Sequence, residues 1–250
     1  MNPVVIVTGG SRGIGAATAR LLGERKAAVV VNYRNAGAEA DAVVRDIKAA
    51  GGDAIAVQGD MGTEADILSL FAETDRAFGP LTGLVNNAGI VGGQKRRIDA
   101  MTFDVAMDVM RVNVVGPLLC AREAIRRMST RTGGKGGAIV NVSSLGALTG
   151  SPNAFIDYAA SKGALDSMTL GLAAETADCG IRVNAVRPGL IDTEIHNDVG
   201  IPDRVKRFGP KMPIGRAGDA REVAEAIVWL LSDKASYITG DFINVTGGAR

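Results

Sequence analysis

One histidine, one tryptophan and two cysteines are all that 250 residues supply of those side chains, and aromatic residues amount to 4%. Zinc sites lean on His and Cys together, so metal catalysis has poor material here and no metal site is expected. Cys120 and Cys179 stand in unlike contexts, with neither a CxxC pair nor a disulfide framework, and both are expected to be buried or inert thiols. Charge of one sign is also missing: the formal net charge is +1 and the pI about 7.8, so no global field directs the chain toward nucleic acid or an anionic membrane. A small-molecule partner is expected instead. No run reaches the ~20 apolar residues that a membrane helix needs. The apolar run at Val4 follows only Met1, Asn2 and Pro3, without a basic n-region, so a signal peptide is not expected and the cytoplasm is the anticipated compartment.

What is present is apolar and periodic. β-rich runs recur at Val4–Val7, Ala28–Val31, Ala54–Val57, Leu81–Val85, Ala138–Val142, Ile181–Val186 and Phe242–Val245, and the count predicts seven strands. Helical periodicity fills the intervals at Ile14–Arg25, Ala38–Ala50, Glu64–Phe78, Phe103–Met128, Tyr158–Cys179 and Arg221–Leu231. The first strands are continuously apolar, as strands are when helices cover both faces of a parallel sheet. Alternation of strand and helix then predicts an α/β fold, a doubly wound seven-stranded parallel sheet of Rossmann type. With no repeat or linker, residues 1–250 are expected to form one domain. The aperiodic stretch from Pro188 to Gly218 follows a strand's carboxyl end and is expected to act as a substrate loop over about 190–218.

Between the first strand and first helix runs Thr8-Gly9-Gly10-Ser11-Arg12-Gly13-Ile14-Gly15. Gly9 suits a tight turn, Gly13 lets backbone N–H groups approach a pyrophosphate, Gly15 permits close helix packing, and the helix N-terminus favours the anion. The spacing departs from Gly-x-Gly-x-x-Gly because Thr18 takes the last position, and a plain glycine-rich turn is the competing reading. Asn86-Asn87-Ala88-Gly89 places a second small-residue turn at the carboxyl edge of the sheet. Asp60, past the third strand, is either an acceptor for an adenine amino group or a turn residue.

Tyr158 and Lys162, at i and i+4 near a helix start, share one helix face. A nearby ammonium favours the phenolate, which is expected to lower the phenol from its usual pKa of about 10 toward working pH and make Tyr158 an acid/base. Val140-Asn141-Val142-Ser143-Ser144 brings hydroxyls to the same edge. Ser144 is expected to hydrogen-bond the oxygen on which charge develops, with Ser143 as the alternative, equally polar but facing the sheet.

Taken in order, these motifs resemble the short-chain dehydrogenase/reductase family over essentially the whole chain. TGGSRGIG resembles its cofactor loop and NNAG its sheet-edge turn, and Asn113, Ser144, Tyr158 and Lys162 resemble its catalytic tetrad. The resemblance implies that Tyr158 is the acid/base, that Ser144 orients the carbonyl, that Lys162 also holds the nicotinamide ribose, and that Asn113 anchors a water in a proton relay. Pro188-Gly189 with Ile191 and Thr193 then lies beside the nicotinamide. Further expected cofactor contacts are Gly9, Ser11, Arg12, Gly13, Ile14, Gly15, Arg34, Asp60, Met61, Asn87, Ala88 and Gly89. The stretch from Ser144 to Tyr158 is one residue longer than in many members, which is why the choice of serine rests on judgement.

NADP(H) is the preferred cofactor on this reading, with NAD(H) possible. A ribose-reading carboxylate is expected about 20 residues after the glycine loop, yet Asn32-Tyr33-Arg34-Asn35 stands there and no acid appears before Glu39. Arg34 and Arg12 are expected to grip a 2′-phosphate. The activity expected is carbonyl reduction or alcohol oxidation on a small metabolite. The alternatives are a 3-oxoacyl-carrier-protein reductase and, less well supported, a silent dinucleotide binder. Arg122, Arg126, Arg127, Arg131 and Lys135 are either a carrier-protein contact or a solvated basic face. Gln94-Lys95-Arg96-Arg97 and a set including Glu194, His196 and Arg204 are candidates for shaping the substrate pocket. Small residues in the helix from Tyr158 leave a face free for a second helix, and the resemblance implies a homotetramer.

Overall fold

A computed structural model describes residues 2–195 and 200–250; His196 lies outside the described residues. The strands form where β-branched and small apolar residues predominate: β1 (Val4–Val7), β2 (Ala28–Tyr33), β3 (Asp53–Gln58), β4 (Gly83–Asn86), β5 (Gly137–Val142) and β6 (Ile181–Pro188). After two short strands, β7 (Ile191–Asp192) and β8 (Gly218–Asp219), comes β9 (Phe242–Val245). Seven of them form one parallel sheet in the order β3-β2-β1-β4-β5-β6-β9. Strand order reverses between β1 and β4, the place where open α/β sheets bind ligands beyond their carboxyl ends.

Period-two alternation divides the core. Val5 and Val7 of β1 point into a cluster closed by α1 (Gly13–Glu24), α2 (Gly37–Ala49) and the last helix, Ala220–Leu231. Val4 and Ile6 point into another, closed by α3 (Glu64–Phe78) and by helices from the middle of the chain. A Rossmann-type sheet covered on both faces is therefore what the sequence patterning encodes.

Two expectations need correction. The helix expected over Phe103–Met128 is two helices, α4 (Phe103–Met110) and α5 (Gly116–Met128), joined by a π-helical turn at Arg111–Val115. Pro117 has no N–H to give the Asn113 carbonyl four residues earlier, so an α-helical ladder cannot close there, and the Gly116 amide instead donates to the Arg111 carbonyl. Among its described residues, the segment from Pro188 to Gly218 also carries regular structure that its lack of periodicity did not show. It holds β7, which pairs with β8, and a short helix at Arg204–Phe208. Two further helices are the single turn α6 (Gly146–Thr149) and α7 (Ile156–Thr176), which starts two residues before Tyr158.

Behind the carboxyl edge lies a buried polar ladder. The Asn86 amide donates to Asn141 Oδ1 (2.9 Å), the Asn141 amide to Thr169 Oγ1 (2.8 Å), and that hydroxyl to the Leu165 carbonyl (2.9 Å). It ties β4, β5 and α7 together, so the helix carrying Tyr158 is registered against the strand that leads to Ser144 by directional bonds as well as by apolar packing.

Candidate active site

The glycine loop is shaped by its neighbours. Gly9 and Gly13 sit at φ +60° and +54°, where side chains are strained. A Cβ on Gly15 would stand 2.3 Å from the Gly9 carbonyl and 2.5 Å from Asn87 Nδ2. The Asn87 amide donates to the carbonyls of Thr8 (2.9 Å) and Gly9 (3.0 Å). The Thr8 hydroxyl in return accepts from the amides of Asn87 and Ala88, each at 3.0 Å. Asn32, read above only as the residue that replaces an acid, is buried and accepts from the Gly9 amide (3.1 Å) while donating to the Gly59 carbonyl (3.0 Å). No acidic residue occupies the first turn of α1, and none of the described side chains caps it. This cradle fits a dinucleotide pyrophosphate: backbone amides and a helix dipole converge where no Cβ intrudes.

Around the cradle, Thr193 Cγ2 lies 3.4 Å from the position a Cβ on Gly13 would take, and Glu194 Oε2 at 3.6 Å. Ser11 and Ile14 are part of the same turn. Arg12 and Arg34 are both exposed, at the start of α1 and just past β2. Asp60 is already engaged: its carboxylate accepts from the Gly62 amide (2.8 Å) and meets Arg111 (3.4 Å), while Met61 beside it is buried.

The hydroxyl-bearing residues meet at the other end of the cleft. The Ser144 hydroxyl stands beside the Tyr158 phenol, whose pKa it lowers, and accepts from the Gly146 amide at 3.0 Å. Ser143 turns away, as the alternative reading of that pair allowed: it is buried and donates to Asp166 (2.6 Å), which also accepts from Arg187 (2.9 Å). Lys162 is buried, 5.6 Å from the Tyr158 ring centroid, with its ammonium donating to the Val142 carbonyl at 2.7 Å. A Cβ on Gly89 would lie 3.5 Å from that ammonium and 3.4 Å from Asn113 Oδ1, so Gly89 keeps the space between them open.

Asn113 has its side chain fully committed. It accepts from the Ile90 amide (2.8 Å) and donates to the Ile90 carbonyl (2.8 Å) and to Ser161 (3.0 Å), whose hydroxyl donates to the Tyr158 carbonyl (2.7 Å). Ser161 is thus a link that sequence reasoning missed, although it lies within the Tyr-x-x-x-Lys segment. Another is Asp157, buried beside Tyr158 and paired with Arg96, which also donates to the Gly92 carbonyl (2.8 Å) and so fixes the loop after β4.

Tyr158 opens into a pocket of about 410 Å³ lined also by Ser144, Phe155, Pro188, Gly189 and Arg204. Lys95 lines the pocket and Arg96 anchors its loop from behind. Arg126, Arg131 and Lys135 of the basic tract are exposed, but most of the tract is engaged in ion pairs. Arg122, Arg126 and Arg127 hold buried Glu123, Arg127 also meets Asp75, and Arg131 pairs with Asp178. Burial would raise the Glu123 carboxyl, but the arginines outweigh it and its pKa falls below the ordinary value.

The pKa expected for Tyr158 needs correction. Burial pushes its phenol up from 10.0, against the lowering effects of the Ser144 hydrogen bond and the Arg204 charge. Burial also takes Lys162 down from 10.5 to about 8, against the raising effect of Asp166. Lys162 therefore loses its proton near pH 8 when folded but near 10.5 when unfolded. Between those values the unfolded state binds more protons, so stability gains a contribution as pH rises from about 8. Tyr158 acts oppositely above pH 10, where the unfolded phenol ionises first. Urea unfolding at stepped pH between about 8 and 10 is expected to show the gain, and Lys162→Met to remove it. An equally steep rise in the variant would contradict this assignment.

Comparison with known proteins agrees with this arrangement. Residues 9–250 match the family described as enoyl-(acyl carrier protein) reductase. The uncharacterized oxidoreductase YgfF of Escherichia coli is 50% identical over 98% of this chain and 99% of its own. A Serratia marcescens short-chain dehydrogenase/reductase superposes with a TM-score of 0.88 at 32% identity, covering 98% of this chain and 97% of that one. The 3-ketoacyl-(acyl-carrier-protein) reductase of Brucella melitensis, solved with NADH, gives 0.90 at 33%, with the same coverage. Identity at this level over nearly the whole of both chains carries kinship as well as fold, and the protein belongs to the short-chain dehydrogenase/reductase family of oxidoreductases.

Proposed function

We propose that the enzyme transfers a hydride between NADP(H) and a small carbonyl compound or secondary alcohol, with residues 1–250 as one cofactor-binding and catalytic unit. The observation that carries this reading is the Ser144–Tyr158 hydroxyl pair, which opens into the pocket with Lys162 behind it. The nicotinamide supplies or accepts the hydride. In the reducing direction Ser144 and Tyr158 hold the carbonyl oxygen, and Tyr158 delivers its proton as charge develops there. The phenolate left behind is favoured by the Ser144 hydrogen bond and by positive charge on Arg204 and Lys162. Lys162 also holds the nicotinamide ribose, near Pro188, Gly189, Ile191 and Thr193. The water of the proton relay is assigned to the main-chain carbonyl of Asn113, because its side chain is spent on Ile90 and Ser161.

Reduction of a 3-oxoacyl-carrier-protein is the second reading. The name of the Brucella relative favours it, whereas the internal ion pairs of Arg122, Arg126, Arg127 and Arg131 leave less of that tract for an acidic carrier. A panel of ketones, a 3-oxoacyl thioester and an enoyl thioester, assayed with each cofactor, separates these activities. Tyr158→Phe is expected to retain the fold and cofactor binding while losing more than about nine-tenths of kcat, and retention of more than about a tenth would remove Tyr158 from the role. Ser144→Ala is expected to cut kcat more than Ser143→Ala does.

Preference for NADP(H) rests on Arg12 and Arg34 and on the missing carboxylate after β2. The NADH bound to the Brucella relative marks the alternative. If Arg34 contributes about 1.5–3 kcal/mol as a charge-assisted bond, Arg34→Ala lowers kcat/KM for NADPH at least tenfold and changes NADH little. Equal use of both cofactors by the unmodified enzyme, or equal loss with both, would show that the arginines do not read the phosphate.

Assembly as a homotetramer is supported by apolar side chains left exposed on α5 and α7, among them Val115 next to α5, Leu118 and Leu170. Gly163 and Gly171 of α7 have nothing within 4 Å of where a Cβ would stand. Light scattering at micromolar concentration is expected to give a tetramer; a monomer would reject this.

A further inference from the structure

Among the described residues, charge in the pocket above Tyr158 is of one sign. Lys95 and Arg204 line it, and among the described lining residues there is no Asp or Glu. Arg204 is half-buried, with its guanidinium carbon 5.9 Å from the Phe155 ring centroid. Other arginines of similar burial are engaged: Arg96 holds Asp157, Arg127 holds Glu123, Arg187 holds Asp166, and Arg182 donates to the main-chain carbonyls of Leu230 and Ser232. Arg204 has no such partner among the described residues. The rest of the lining is mainly apolar, as at Leu145, Leu190, Ile201 and Met212, with hydroxyls confined to one side. A cation kept in such surroundings without a counter-ion forgoes hydration, and burial lowers its proton affinity accordingly. That arrangement is stable and useful if the counter-ion arrives with the ligand.

We propose that the substrate is a carbonyl or hydroxy compound bearing a carboxylate on a short apolar frame, with Arg204 as the group that grips the carboxylate and Lys95 adding positive charge to the same pocket. The inference rests on the reading of Tyr158 as the acid/base for the carbonyl and adds the chemistry at the substrate's other end. A planar guanidinium matches a carboxylate in two parallel hydrogen bonds, which a lysine cannot reproduce. A volume of about 410 Å³ is small for a ligand pocket and suits a compact acid.

The test uses unmodified protein, Arg204→Ala and Arg204→Lys with NADPH and a homologous series of straight-chain keto acids beginning at levulinate, each beside its methyl ester. The acid is expected to exceed its ester in kcat/KM by at least about tenfold, chiefly through KM, and Arg204→Ala to bring that ratio close to one, with Arg204→Lys between. The effect of Arg204 on the Tyr158 phenol is common to acid and ester and cancels in the ratio. Equal use of acid and ester by the unmodified protein, or an unchanged ratio in Arg204→Ala, overturns the proposal. Calorimetry of the keto acids with cofactor-loaded protein reads the same grip without turnover. Binding that Arg204→Ala weakens and Tyr158→Phe preserves supports the carboxylate contact even if Tyr158 proves not to be the acid/base. No binding of any acid in the series, beside Tyr158-dependent turnover of neutral ketones, overturns the contact and leaves the reading of Tyr158 standing.

Discussion

Asn87 extends the pairing of β1 with β4 beyond the carboxyl ends of both strands. Its amide spans the carbonyls of Thr8 and Gly9, and the would-be methyl group of Gly15 finds no room between the Gly9 carbonyl and that same amide. The glycine loop is thereby pressed against the end of β4, and the first turn of α1 points its amides across the carboxyl edge of the sheet. Thr8 from one side and Asn32 from the other complete the clamp with side-chain bonds. Buried amides left unpaired would each cost about 1–3 kcal/mol, so the loop has little freedom to rearrange.

A second consequence follows for the catalytic end. Because β4 is fixed by the loop, the turn at Ala88-Gly89-Ile90 presents Ile90 to Asn113, and Asn113 reaches Ser161 on α7. The π-helical turn makes that reach possible by changing the direction in which Asn113 faces between α4 and α5. Ser161 in turn holds the backbone of Tyr158. Cofactor cradle and acid/base are thus connected through three side chains and one irregular turn, with the Asn86–Asn141–Thr169 ladder running behind them. A distortion at either end is transmitted through bonds that have directional requirements, as a purely apolar contact does not.

The sheet was legible because its strands are buried on both faces, so that runs such as Val4–Val7 and Ala28–Val31 stand out without any periodicity to decode. The break between α4 and α5 was hidden for a related reason: the apolar spacing continues across it, with Val109, Val112 and Cys120 all buried. Pro117 was the available signal, since a missing N–H inside a helical pattern forces some irregularity near its usual partner. The order within residues 188–218 could not be read because two-residue strands carry no period. Motifs brought Ser144, Tyr158 and Lys162 to one edge, and Arg204 was legible only as one of a set of pocket candidates, because no local rule determines which residue of a segment 46 residues beyond Tyr158 enters the pocket. The upward shift of the Tyr158 phenol was equally out of reach: it depends on burial, while the i to i+4 spacing shows only that Lys162 is near.

The carboxylates around Tyr158 explain how a buried phenol remains usable. Asp157 is its immediate neighbour and Asp166 lies two turns along the same helix, and either one, left free, would oppose the phenolate. Neither is free. Asp157 is held by Arg96, and Asp166 by Arg187 and the Ser143 hydroxyl. Each pair is drawn from a separate part of the chain, so the neutralisation is a property of the fold and not of helix α7 alone. With the acids cancelled, the uncompensated charges nearest the phenol are those of Lys162 and Arg204, both positive. Burial raises the phenol and lowers the ammonium, so it opposes both charged forms, and the phenolate depends on the neighbours that favour it to offset that cost. Ser144 adds a hydrogen bond that favours the ionised form, and Ser143, one residue earlier, serves the opposite face by securing Asp166. The adjacent serines therefore divide the work, one acting on the reacting oxygen and the other on the carboxylate that would otherwise disturb it.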